Sequence, residues 1–130
     1  MTARTRIILV GIGAIIVFDV VAAMISRETG TPYAWTTYGS WILYTALGYL
    51  AGRTSPGSAL LASAIAGVIF GLVDATLGWA VSWGLGPGRI AAGVTAMQWV
   101  IVAVVVTVLA TGFAALGGSF ARMRRGSARR

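Results

Sequence analysis

The sequence predicts an all-α fold: a polytopic integral membrane protein, an antiparallel bundle of four transmembrane helices with both termini in the cytoplasm. Three observations predict it. Of 130 residues, 58% are hydrophobic and only 10% charged, with a mean hydropathy of +0.87. A soluble surface takes roughly 25% charged residues, so this composition cannot cover itself in water. The apolar residues fall into four runs, each long enough to cross ~30 Å of hydrocarbon. The ten basic residues are all arginine, and they stand at the ends of those runs, never inside them.

The first span is predicted over residues 7–25, behind Arg4 and Arg6 and interrupted only by Asp19. Two arginines before an apolar run also open secretory signals. The length of this run, its aspartate and the lack of a small-residue cleavage pattern after it favour a retained helix. A polar link, Ser26 to Pro32, leads to a second span over residues 33–52, whose opening Tyr33, Trp35, Tyr38 and Trp41 suit a membrane–water interface. Pro56 and Gly57 mark the next turn. A third span follows over residues 58–85, then Gly86, Pro87 and Gly88, then a fourth over 90–116. Residues 1–121 thus form the transmembrane domain and 122–130 a basic cytoplasmic tail. All three prolines lie in links, and the links are short, so consecutive helices run antiparallel.

Orientation follows from the arginines. Arg4, Arg6, Arg53, Arg122, Arg124, Arg125, Arg129 and Arg130 collect on one side, and only Arg27 and Arg89 on the other. The richer side faces the cytoplasm, which places a multi-pass protein in the cytoplasmic (inner) cell membrane. Arginines placed this way are topology signals, so nucleic acid is not expected as a partner. The tail arginines Arg122, Arg124 and Arg125 can also hold anionic lipid headgroups at ~1 kcal/mol each.

The chain has no Cys, His, Lys or Asn, and its only acids are Asp19, Glu28 and Asp74. That inventory removes catalytic triads, thiolate chemistry and Cys/His metal sites. Neither an enzyme nor a metal or other cofactor is expected.

The third span carries the sharpest pattern. At ~3.6 residues per turn, Ser63, Gly67, Gly71, Asp74, Gly78 and Ser82 share a stripe ~100° wide, opposite Ile65, Val68, Ile69, Leu72 and Trp79. Asp74 lies near mid-membrane, where a carboxylate costs ~2.5–3.5 kcal/mol on insertion scales. No arginine within a span is placed to pair with it. A carboxyl group that exchanges protons in a cavity is what coupled transporters use; the plainer role is one hydrogen bond to a neighbouring helix, with Tyr44, Thr45, Thr95 or Gln98 as candidates. Asp19 lies ~18 Å along the first helix and Asp74 ~21 Å along the third, at similar depth. If the two meet, they titrate as a coupled pair sharing a proton. The small-residue spacings Gly67–Gly71, Gly71–Gly78 and Gly48–Gly52 permit close helix packing, within the bundle or between copies.

The outline resembles that of small multidrug-resistance transporters, but the glutamate and the second and third spans of that family have no counterpart here, and no family is assigned. The expected function is a homo-oligomeric transporter or channel component binding a proton or cation at Asp74 and Asp19, with Thr45, Thr95 and Gln98 lining the path. Four short helices enclose little volume, hence the expectation of a second copy. The alternative is a non-catalytic accessory or scaffold subunit of a larger membrane complex.

Overall fold

The computed structural model describes residues 1–87 and 95–127; Arg89, Arg129, Arg130 and the expected start of the fourth span at 90–94 lie outside the described residues. The described chain is helical almost throughout. α1 spans Ala3–Thr29; its first turn is capped by Thr2, whose side chain accepts from the Thr5 N–H. It ends at Gly30, which adopts a left-handed φ of 69° and donates its N–H to Ser26 O at 3.0 Å. Only glycine takes this φ without a Cβ penalty, so the stop is written in the sequence. A 3₁₀ turn, Tyr33–Trp35, leads into α2, Thr36–Thr54.

The third rod is one helical run in three parts: α3 (Ala59–Val73), a π turn (Asp74–Gly78) and α4 (Trp79–Leu85). The last helix, α5, runs Ala96–Ser127. It therefore continues well past Leu116, where the sequence placed the end of the span, and Gly117–Gly118 lie inside it.

The contacts give an up-down-up-down bundle. Gly11 of α1 sits beneath the Phe70 ring of α3, and Gly39 of α2 beneath Phe18 of α1. Gly67 lies against Thr111 and Gly71 against Thr107, so α5 is antiparallel to α3; Gly48 lies against Ala114 and Gly52 against Gly118, so it is parallel to α2. α1 packs on α2 and on the third rod but does not reach α5 among the described residues.

Two features hold the bundle. The seam of α2, α3 and α5 is built from small residues, with Ala51, Ala62, Ala66, Ala110, Ala114 and Ala121 buried beside Gly48, Gly52, Gly67 and Gly71. Small side chains let the backbones approach closely and gain dispersion over that contact. Within this seam Ser63 is fully buried and donates to Gly48 O at 2.6 Å, with its own Ala59 O 2.8 Å away. The outside of the bundle is the reverse: Val10, Val17, Val21, Ile42, Leu61, Leu72, Val104 and Val108 are all exposed.

Three helical runs are long and apolar enough to cross a membrane: Ala3–Thr29, Ala59–Leu85 and Ala96–Ser127. α2, at 19 residues with a run of Thr, Tyr and Ser in its first half, does not stand with them.

Candidate functional site

The site lies where α1, α2 and the π turn converge. On the third rod, the stripe from Ser63 to Ser82 takes 19 residues over five turns, which drifts by about 100° on a regular helix. The π turn widens one turn at Asp74–Gly78 and takes up that drift; the Trp79 N–H reaches back to Asp74 O in place of the usual carbonyl. As a result Ser63, Gly67, Gly71, Gly78 and Ser82 are all buried on one side, with Asp74 half-buried among them. On α1, the buried face reads Gly11, Ile15, Asp19, Ala22, Ala23 and Ser26, and Asp19 is only 4% exposed.

The two aspartates meet across Gly78. A Cβ built there would collide with Asp19 Oδ2 and stand 2.8 Å from Asp74 Oδ1. The missing side chain of Gly78 is thus the space into which the Asp19 carboxyl extends, beside that of Asp74. Tyr44 of α2 donates its hydroxyl to Asp74 Oδ2. Asp19 Oδ2 has no hydrogen-bond partner among the described residues, although it is fully enclosed. Among the described residues no basic side chain lines the site. Two carboxylates in contact in such surroundings cannot both carry charge without a cation or proton between them.

A half-open cavity of about 220 Å³ adjoins the pair. Its polar wall comes from Tyr33, Thr36, Thr37, Ser40, Tyr44 and Ser82, its aromatic wall from Trp41 and Trp79, and its remaining side from Val102, Val106 and Leu109 of α5. Trp41 stacks on Phe113 with ring centroids 5.0 Å apart, and Trp79 packs against Trp99, so both indoles are held by α5.

The other residues singled out from the sequence sit elsewhere. Thr45 donates to Trp41 O of its own helix at 2.9 Å and faces a separate apolar groove with Tyr38, Phe113 and Leu116. Thr95 and Gln98 close on each other at the start of α5: Gln98 Oε1 accepts from the Thr95 N–H at 2.8 Å, and Thr95 Oγ1 accepts from the Gln98 N–H at 3.3 Å. That is a reciprocal cap of orphan helix-end donors, exposed and away from the cavity. Gly48, Gly52, Gly67 and Gly71 pack within the chain, whereas Gly78 belongs to the acid site. Arg125 donates to Gly52 O and Ser55 O, at 2.8 and 2.6 Å, and to Arg53 O, so it caps the end of α2; Arg122 and Arg124 are exposed.

Of the hydroxyl wall on α2 and the turn before it, sequence reasoning names only Tyr44, as a candidate partner of Asp74, and the structure joins the two. Tyr33, Thr37 and Ser40 share its face at i, i+4, i+7, i+11 spacing, but Tyr33 reads as an interfacial anchor and Thr37 and Ser40 are not singled out. No family model, no curated protein and no solved structure matches this chain.

Proposed function

We propose that this chain is a small integral membrane transporter or channel component. It inserts as four antiparallel spans with both termini cytoplasmic, and it holds an exchangeable proton or cation between Asp19 and Asp74. On this reading α2 crosses the membrane as the fourth span, shielded between α1 and α5. The protein is not an enzyme, and a second copy completes the pathway along the exposed outer half of α5. One observation carries the proposal: two carboxyl groups from different helices converge beside a cavity that, among the described residues, has no basic side chain to neutralise them. An acid used only as a structural tie needs one partner, and Tyr44 already serves Asp74. Asp19 adds a second acid with an oxygen left unpartnered, an arrangement that costs stability unless it binds something.

The test is infrared spectroscopy of the protein in lipid, wild type against Asp74→Asn. The proposal expects a protonated-carboxyl band that titrates reversibly with pH, exchanges in heavy water and is lost in the variant. A wild type without such a band, or with one that neither titrates nor exchanges, contradicts it. In that case the pair is a tie between helices, as the accessory-subunit alternative requires.

A further inference from the structure

We infer that the cavity beside the acid pair binds a small organic cation bearing N–H donors, of the protonated-amine class, in exchange for the proton the pair holds. The inference rests on the proposed reading of Asp19 and Asp74 as an exchangeable site and adds what is exchanged.

Charge comes first. Among the described residues the cavity's only ionisable groups of either sign, apart from tyrosines, are the two acids, which favours a cation over an anion. Hydrogen-bonding capacity is the second point. Thr36 donates its hydroxyl proton to Tyr33 O at 2.6 Å, Ser82 donates to Trp79 O at 3.0 Å, and Tyr44 donates to Asp74. With those protons committed inside the protein, the three side chains present lone pairs to the cavity, as do the carboxyl groups, and such a wall suits a guest rich in donors. The third point is the aromatic wall. A bare metal ion asks for several oxygen ligands, and no cluster of three or more acidic, His or Cys side chains occurs among the described residues. Trp41 and Trp79 instead line the cavity with indole side chains, the aromatic type that attracts an organic cation best. Size is the fourth. About 220 Å³ is below the usual ~300–1,000 Å³ of ligand pockets, which suits a short alkylammonium ion better than a drug-sized guest.

The exchange balances in charge. One cation enters, one proton leaves the carboxyl pair, and the net charge of the site is unchanged.

The experiment is proton release by purified protein in weakly buffered detergent solution, read with a pH dye. Ethylammonium, tetramethylammonium and sodium chlorides, each adjusted to the starting pH, are added in turn. The inference expects saturable release of about one proton per site with ethylammonium. It expects none in Asp74→Asn, and a dissociation constant roughly 5- to 30-fold weaker in Trp79→Ala; Trp79→Phe, which keeps an aromatic face and guards against a folding defect, should recover most of that loss. Tetramethylammonium, which has no N–H, should bind more weakly than ethylammonium. Release with sodium alone overturns the inference, as does ethylammonium binding that neither Trp79 variant alters, or no release with any of the three salts. In the last case a titrating carboxyl band still establishes the pair as a proton site, so the substrate class and the site itself fail separately.

Discussion

Gly78 is the residue on which the acid pair depends most. Because an added Cβ would meet Asp19 Oδ2, Gly78→Ala must push the α1 carboxyl aside. The expected cost is about 1–3 kcal/mol, the range for overpacking a filled interior, read as a lower unfolding temperature in detergent together with a displaced carboxyl band. Tyr44→Phe removes the hydroxyl that Asp74 accepts, at a cost of about 1–2 kcal/mol, since membrane hydrogen bonds are individually modest and this one serves an acid. In that variant the carboxyl band should remain and shift, because the phenol tunes the pair without being part of it. The aspartates themselves were legible in the sequence as two acids at similar depth on the first and third helices. Their meeting was not, because depth along a helix fixes height but not rotational phase. The phase depends on Gly11 seating beneath Phe70 and on the extra width of the π turn, and neither is visible in one helix read alone.

At the level of helices, the small-residue seam makes opposite predictions for two glycines. Gly67→Val places a branched side chain where Thr111 Cα already stands 2.7 Å from the Cβ position. α5 must retreat, and roughly 1–3 kcal/mol or more of stability is lost. Gly112 on α5 has nothing within 4 Å of its Cβ position, so Gly112→Ala should leave packing intact and stabilise the helix by about 0.5–1 kcal/mol. Thermal unfolding of the two variants side by side checks the pair of predictions. The stripe from Ser63 to Ser82 could be read from spacing, as could the glycines of α2 and α3. Their partner on α5 was equally periodic, through Ala110, Ala114, Gly118 and Ala121, but Gly117–Gly118 look like an exit turn when judged locally. Thr95 and Gln98 carried a cap signature, Thr-x-x-Gln, and their polarity drew them into the pathway instead. The π turn left one trace in the sequence, a stripe slightly slower than the α period. Deleting Thr76 removes the residue the π turn accommodates, so the rod should close into a regular α-helix with α4 in its present phase and Gly78 and Ser82 still on the buried side. Inserting one alanine after Thr76 should instead turn α4 by about 100°, keep helix content by circular dichroism, and abolish cation-linked proton release.

Across the described residues the bundle buries mostly small apolar side chains with a few polar groups and leaves many large apolar side chains exposed, unlike a protein folded for water. Composition alone made that legible. The arginine distribution predicts an orientation, which labelling can test cleanly because the chain has no cysteine of its own. Single variants Thr2→Cys and Ser127→Cys should react with an impermeant maleimide only from the cytoplasmic side, and Thr29→Cys only from the opposite side. Reaction of Thr2→Cys and Thr29→Cys from the same side would remove the first span.

The central claim is that Asp19 and Asp74 act as one proton-holding unit, and a double-mutant cycle on the infrared carboxyl band tests it most directly. Wild type, Asp19→Asn, Asp74→Asn and the double variant are titrated under identical conditions. The account predicts strong non-additivity: either single substitution abolishes the shared-proton band, and the second adds almost nothing. If each single variant keeps the other aspartate's titration unchanged and the double variant is the sum of the two, the acids are independent and the account fails.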